Sequence, residues 1–270
     1  MIVYIIMVLI SIAFLFLQRI VPKKWQKVTC FILAGLPFFL VSALRYRVGT
    51  DYHKRYVNNF NGLLRGGSPD DLALEIGFYI LLKLCSFITY EYAIIFIVTS
   101  AIIIGFFMYT MFDKSKNPIL SVLIFFLAGF FFDSLNIMRQ YLAMSIVIFG
   151  YRFLLKEKKY YFAYALCVLI ATSMHASAIL MLALLVFTKK MLVSPIWVLP
   201  CAAVVLILNE NLLSLLAVFI QNTRFVPYLT NEFAQGEVSF LFIGENLAFY
   251  LLMYYIYKKN QKLGVIRIRR

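Results

Sequence analysis

Residues 31–56, FILAGLPFFLVSALRYRVGTDYHKRY, set an apolar run directly against a segment that is dense in charge. The charged half, residues 45–56, holds four cationic side chains, one carboxylate and one imidazole. A helix needs about 20 apolar residues to cross a bilayer, and the apolar half extends back to about residue 28. The stretch therefore predicts a membrane-spanning helix that ends at a charged loop.

The rest of the chain shares this apolar character. Its 270 residues have a mean hydropathy of +0.89, and 63% of them are hydrophobic while only 14% are charged. Soluble proteins carry about 25% charged residues, so the composition indicates a polytopic membrane protein. We predict an all-α fold, a single transmembrane domain over residues 1–270, and about nine transmembrane helices. The predicted spans are residues 1–17, 28–44, 92–112, 119–135, 139–155, 161–174, 175–188, 191–207 and 238–257.

Basic residues orient the chain in the membrane. Residues 69–89 are apolar, and Ser68 followed by Pro69 predicts a helix start there. If this helix does not cross, 18 of the 26 lysines and arginines lie on one side, which is then the cytoplasm. We therefore predict an interfacial or re-entrant helix inside an outer-face loop, residues 45–91, with the N-terminus outside and the C-terminus cytoplasmic. The net charge of +14 then reflects membrane topology, and no nucleic-acid partner is expected.

The outer-face loop begins with positive charge on the side where basic residues are rare. Arginine offers a planar fork of donors that matches phosphate oxygens, so we expect Arg45 and Arg47 to bind a phosphorylated ligand; the alternative is that they reach lipid headgroups. Asp51 either caps the following helix, orients the arginines or accepts a substrate proton. Residues 52–64 predict an amphipathic helix at the membrane surface, with its tyrosines at headgroup depth.

A second polar segment interrupts the apolar run 119–155. That run is too long for one span, so DSLNIMRQYLA, residues 133–143, predicts two helices joined by a polar link. Asn136, Arg139 and Gln140 have the spacing of one helix face. Arg139 would lie in the first turn of the second helix, where backbone N–H groups and a guanidinium meet one anion. The alternative is that Asn136 and Gln140 bond neighbouring helices.

His175 lies among small residues in ATSMHASA, residues 171–178. An isolated histidine is by default a packing residue, but the predicted topology brings this one to the same outer mouth as Arg139. There a neutral imidazole can accept a proton and return it. Glu75 is expected to be a loop or helix-end residue. The sequence has no phosphate-binding loop, zinc pattern or D-x-D motif, and its four cysteines lie singly in apolar segments, so neither a cofactor nor a metal site is predicted.

Four segments, taken in order, resemble the EpsG-like, Wzy-type exopolysaccharide polymerases, which are bacterial membrane proteins of the GT-C-like kind. The segments are RYRVGTDYHKRY (45–56), EIGFYILLKL (75–84), NIMRQYLAMSI (136–146) and SMHASAIL (173–180). By this resemblance Arg45, Gly49, Asp51 and Tyr52 belong to the first outer-loop motif. Arg139 and Gln140 match an Arg-Gln pair, and His175 with Ser177 matches a His-x-Ser pair.

The resemblance implies glycosyl transfer between undecaprenyl-diphosphate-linked oligosaccharide repeat units on the outer face of the bacterial plasma (inner) membrane. The product would be a capsular polysaccharide, exopolysaccharide or O-antigen. The expected catalytic residues are Asp51, His175 and Arg139. The expected substrate-binding residues are Arg45, Arg47, Tyr52, Asn136, Gln140 and Ser177. Expected partners are membrane lipids, a flippase and a chain-length regulator of the same pathway.

Two other classes of function stay open from the sequence. One is a transporter or flippase for a lipid-linked or anionic sugar, and the other is a non-catalytic scaffold of the cell envelope. Polymerases of the resembled kind usually continue through further helices, whereas this chain stops at IRIRR, residues 266–270. A short or truncated, inactive member of the family is therefore among the expectations.

Overall fold

The computed structural model describes residues 2–156 and 158–187, together with eight residues between 247 and 259. Contacts divide the chain into two compact units, Met1–Thr188 and Lys189–Arg270. The architecture below is that of the first unit, in which every regular element is a helix. The predicted span 191–207 and most of the predicted span 238–257 lie outside the described residues.

Ten α-helices and three helical segments of other types follow one another along the first unit. The α-helices are α1 (Ile2–Ile20), α2 (Lys24–Ala43), α3 (Asn58–Leu64), α4 (Ile76–Ile88), α5 (Ala93–Lys114), α6 (Pro118–Leu127), α7 (Phe130–Asn136), α8 (Met138–Leu154), α9 (Tyr161–Met174) and α10 (Leu184–Phe187). A π-helical segment, Tyr52–Val57, precedes α3, and 3₁₀ segments occupy Lys158–Tyr160 and Ala176–Ala183.

Three of these helices, α1, α2 and α5, are long and apolar enough to cross a membrane. The pair α6 and α7 makes a fourth span if its two halves, bent by 52° at a short break, count as one. The predicted spans 139–155 and 161–174 correspond to α8 and α9, whose 17 and 14 residues make them about 26 and 21 Å long. Residues 2–187 therefore support an integral membrane protein with three or four clear spans, and the total of nine stays a prediction.

The long helices pack side by side in the order α1, α2, α5, α8 and α9. The apolar run 119–155 divides as its length requires, but it breaks twice, once before α7 and once at Ile137. The second break lies inside the predicted polar link, and Arg139 is the second residue of α8, as expected. This break places the first turn of α8 beside the loop that follows α2.

Two predictions about the segment before α4 were wrong, namely the helix start at Pro69 and the helix cap at Ser68. Residues 69–73 form turns, and the helix predicted from Pro69 begins only at Ile76. Ser68 caps no helix; its hydroxyl donates to Asp71 Oδ2 at 2.6 Å, and its backbone N–H donates to the same oxygen at 2.9 Å. A short acidic side chain that bonds nearby backbone in this way competes with helix formation, which explains the late start of α4.

The helical character of residues 52–64 is confirmed, but the predicted environment of its tyrosines is not. Tyr52, Tyr56 and Phe60 are buried in the protein core, with exposures of 3%, 2% and 0%. Tyr52 stacks on Phe96 of α5 at a ring-centroid distance of 4.5 Å. The apolar face of this segment is therefore covered by protein rather than by lipid headgroups.

Candidate functional site

The junction between α7 and α8 is held by the hydroxyl of Tyr56. This hydroxyl donates to the backbone carbonyl of Asn136 at 2.8 Å and accepts from the backbone N–H of Met138, also at 2.8 Å. Burial raises the pKa of Tyr56 to about 12, so the phenol keeps its proton at neutral pH and serves as donor and acceptor together. One side chain of the loop 45–91 thereby fixes the point from which Arg139 projects.

Asn136 also binds the loop 45–91 through its side chain. Its Oδ1 accepts from Thr50 Oγ1 at 3.0 Å and from the backbone N–H of Asp51 at 3.2 Å. Gly49 makes this approach feasible, because its φ is +94° and a Cβ there would lie 3.1 Å from Asn136 Oδ1. The Asp51 carboxylate caps no helix N–H and lies 3.3 Å from Arg55 Nε. The capping interpretation of Asp51 is therefore wrong.

Glu75 is the centre of a second set of contacts. Its Oε2 lies 2.8 Å from Arg139 Nη1, and both side chains are nearly buried, with exposures of 10% and 14%. Its Oε1 lies 3.6 Å from His175 Nδ1 and accepts from the backbone N–H of Ala176 at 3.4 Å. Arg139 Nη1 also donates to the carbonyl of Ala73 at 3.4 Å. We call Glu75, Arg139 and His175 the Glu75 cluster.

A cavity of about 250 Å³ adjoins this cluster and is named here the α8 cavity. Its polar lining residues are Gln140, His175 and Ser177. Its apolar lining residues are Ala143, Met144, Val147, Ile148, Ala178 and Met181. His175 belongs to both the cavity and the Glu75 cluster, and Gln140 follows Arg139 in the first turn of α8. Four of the predicted site residues therefore meet at the start of α8 and the end of α9.

The remaining predicted arginines lie elsewhere. Arg45 is only 7% exposed; its Nη1 donates to the Ser42 carbonyl at 3.2 Å, its Nη2 donates to Met138 Sδ at 3.3 Å, and its guanidinium lies 4.6 Å from the ring of Phe96. Burial lowers the pKa of Arg45 to about 10, which still leaves it protonated at neutral pH. Arg45 thus holds the first residue of α8 from inside the protein.

Arg47, by contrast, is exposed, and its guanidinium lies over the ring of Tyr46 at 5.1 Å. It adopts a positive φ of 55°, which is uncommon for residues other than glycine. Among residues 2–187, no ion pair joins Arg45 or Arg47 to the Glu75 cluster. Arg45, Arg47 and Arg139 therefore contact different partners: Met138 and Phe96, Tyr46, and Glu75, respectively.

The shared helix face predicted for Asn136, Arg139 and Gln140 is wrong, because the backbone leaves the helix at Ile137, whose ψ is +53°. Asn136 instead binds the loop 45–91, Arg139 binds Glu75 and Gln140 lines the α8 cavity. The N–H groups of this turn are also largely occupied: Met138 donates to Tyr56, and Gln140 and Tyr141 donate to the carbonyl of Ile137. The guanidinium of Arg139, rather than the helix N-terminus, is the group that can meet an anion here.

Glu75 is the residue that sequence reasoning missed. A carboxylate just before an apolar helix is common and was interpreted as a loop or helix-end residue. One signal was present, since Glu75 opens EIGFYILLKL, one of the four segments that carried the family resemblance. Its partners lie 64 and 100 positions further along the chain, so only the fold reveals them.

Apolar helices long enough to span a membrane, together with a polar cluster at the ends of α4, α8 and α9, define an integral membrane protein with a site at helix ends. The model of the EpsG family matches residues 28–267, and the chain therefore belongs to the EpsG family. This match confirms the resemblance seen in the four sequence segments. The family is associated with glycosyltransferase-like polymerase activity in exopolysaccharide synthesis, which implies a lipid-linked oligosaccharide substrate and a membrane setting. No curated protein and no solved structure matches the chain.

Proposed function

We propose that this protein is a polymerase that transfers undecaprenyl-diphosphate-linked oligosaccharide repeat units on the outer face of the bacterial plasma membrane. The proposal rests on one observation: Gln140, His175 and Ser177 line the α8 cavity, and Arg139 lies beside it in the ion pair with Glu75. These residues come from two segments of the chain that the family resemblance had already marked. The product would be an exopolysaccharide, a capsule or an O-antigen.

The leaving group of such a reaction is a lipid diphosphate. Arg139 is placed to bind it, because its guanidinium presents several N–H donors to phosphate oxygens and keeps its charge in a nearly buried position. Charge that develops on the diphosphate as the glycosidic bond breaks would be stabilised by this fixed cation. In this proposal the positive charge of the site comes from guanidinium groups of the protein.

The acceptor sugar hydroxyl needs a base, and His175 fits this role better than Asp51. His175 lines the α8 cavity beside Gln140 and Ser177, which can bind sugar hydroxyl groups. Asp51 is instead 3.3 Å from Arg55 and is not among the residues that line the α8 cavity. A cavity of about 250 Å³ is small compared with the roughly 300–1,000 Å³ of most ligand pockets, so it suits one sugar ring rather than a whole repeat unit.

The other predicted site residues receive more remote roles in this proposal. Arg45 and Tyr52 hold the outer loop and the start of α8, and Asn136 fixes the same junction. Arg47 is exposed on the proposed outer face, where it can meet the diphosphate of an approaching lipid-linked unit. We further propose a GT-C-like arrangement of about nine spans in one membrane domain, with the N-terminus outside. A flippase that supplies the substrate and a chain-length regulator are the proposed partners.

The test is replacement of the native gene by an Arg139→Lys variant in the organism that makes the polymer. We expect loss of chain extension at unchanged protein level in the membrane fraction, because a point ammonium does not replace the guanidinium fork. Arg65→Lys is the matched control, since Arg65 is exposed in the loop between α3 and α4. Polymer of normal length from Arg139→Lys would refute the assignment. Movement of the lipid-linked unit across vesicles without lengthening would select a transporter instead.

A further inference from the structure

We infer that Glu75 is a positioning residue of this site: its carboxylate holds the Arg139 guanidinium with one oxygen and faces the His175 imidazole with the other. The inference rests on the proposed function, because it gives a role to a residue beside the proposed base and the proposed anion-binding group. Glu75 itself would touch neither the sugar nor the diphosphate. It would act through the two side chains that do.

The geometry places one carboxylate between three elements. Glu75 directly precedes α4, Arg139 lies in the first turn of α8, and His175 follows α9. The Glu75 side chain caps no N–H of its own helix, although it occupies the capping position. Its two oxygens are used for contacts 64 and 100 residues away in the chain, at 2.8 Å to Arg139 and 3.6 Å to His175.

Close packing of α4 on α9 makes these contacts feasible. A Cβ at Gly77 would clash with Ser173 Oγ and would lie 2.8 Å from the Ser173 carbonyl oxygen, so this glycine sits directly against the last turn of α9. Glu75 lies two residues before Gly77, and His175 lies two residues after Ser173. The approach of the two helices at Gly77 is therefore what brings the carboxylate to the imidazole.

A purely structural role for Glu75 does not account for its approach to His175. A nearly buried carboxylate needs partners, and Arg139 together with the Ala176 N–H satisfies that need. The second oxygen is nevertheless directed to the ring of a residue that lines the α8 cavity. A carboxylate beside the imidazole on the side away from the substrate is the arrangement by which a base is oriented and its protonated form stabilised.

The role of Glu75 in the proposed transfer follows from where the proton and the bonding electrons go. The acceptor hydroxyl loses its proton to His175 as its oxygen bonds to the anomeric carbon, and the bond from that carbon to the diphosphate breaks. The diphosphate leaves with the electron pair and is bound by Arg139. The imidazolium that forms then lies 3.6 Å from Glu75 Oε1, which stabilises it and favours the proton on Nδ1 before the reaction.

Nitrogen-15 NMR of the full-length protein in detergent micelles tests the positioning directly. The chain has two histidines, so ¹⁵N-histidine labelling gives two imidazoles, and His53→Gln identifies the His175 signals. At a pH where the ring is neutral, we expect His175 to carry its proton on Nδ1 in the unmodified protein and to lose this preference in Glu75→Ala. An identical tautomer in both proteins would overturn the inference, and His53 is the internal control.

Measurement of polymer synthesis in further variants distinguishes a failure of this inference from a failure of the proposed function. We expect Glu75→Gln to lower polymer yield at least about 10-fold, since general acid–base assistance contributes about 10²–10⁴, and Glu75→Asp to restore part of it. Glu91→Gln, an exposed glutamate between α4 and α5, should leave the yield unchanged. If His175→Ala and Arg139→Lys stop synthesis but Glu75→Gln does not, only the inference is refuted. If those two variants also make normal polymer, the proposed function fails.

Discussion

Replacing Gly77 by alanine tests whether the α4–α9 contact sets the geometry of the site. The added methyl group would clash with the Ser173 hydroxyl and lie 2.8 Å from both Ser173 Cβ and the Ser173 carbonyl oxygen. Because a backbone atom is among these neighbours, a side-chain rotation cannot relieve the contact and α4 must move. Overpacking of this kind costs about 1–3 kcal/mol, and the helix propensity of alanine returns up to about 1 kcal/mol. With the full amount returned, the expected net loss of stability is at most about 2 kcal/mol.

The matched control is Gly105→Ala in α5, where an added Cβ meets nothing within 4 Å. Thermal unfolding of the purified full-length proteins in the same detergent should give a lower Tm for Gly77→Ala and an unchanged or higher Tm for Gly105→Ala. Gly77→Ala should also lose polymer synthesis, because displacement of α4 carries Glu75 away from His175. Equal Tm values together with normal polymer would refute the claim that this close approach positions the site.

Two further predictions concern the junction and the base. Tyr56→Phe should lower stability by about 2 kcal/mol at neutral pH, since it strips two backbone groups of a buried partner; Tyr46→Phe, on an exposed ring, is the control for the Tm measurement. The pKa of Tyr56 is about 12 in the folded protein, against about 10 for an unperturbed tyrosine. This contribution is therefore complete below about pH 10 and declines towards about pH 12, and the difference in Tm should shrink over that interval. Asp51→Asn should keep measurable polymer synthesis while His175→Gln abolishes it, and the opposite result would transfer the role of base to Asp51.

The sequence predicted the structure correctly where a physical limit, such as the length of one membrane span, applies to a single segment. The run 119–155 exceeds the length of one span, so a break near residue 137 and the place of Arg139 in the first turn of the next helix followed without a structure. The same reasoning failed for the face shared by Asn136 and Gln140, because helical spacing assumes a continuous backbone. The break that the run length predicts is the very feature that separates these side chains.

Other parts of the site depend on contacts between distant segments and were not predictable. The helical spacing of Tyr52, Tyr56 and Phe60 marks an apolar face, but the sequence does not show whether lipid or protein covers that face. Arg45 has the sequence signature of a surface arginine at a helix end, yet the fold buries it against Met138 and Phe96. Glu75 likewise gains its importance only when α4 meets α9.

The first turn of α8 sends three consecutive side chains to three different neighbours. Met138 accepts from Arg45 and from Thr99, Arg139 binds Glu75, and Gln140 lines the α8 cavity. Successive residues of an α-helix are separated by about 100° of rotation, so these three directions are fixed relative to one another. No rotation of α8 can change one contact and spare the other two. The turn therefore tolerates substitutions better than changes in length: a residue inserted at Ile137 would redirect all three side chains together.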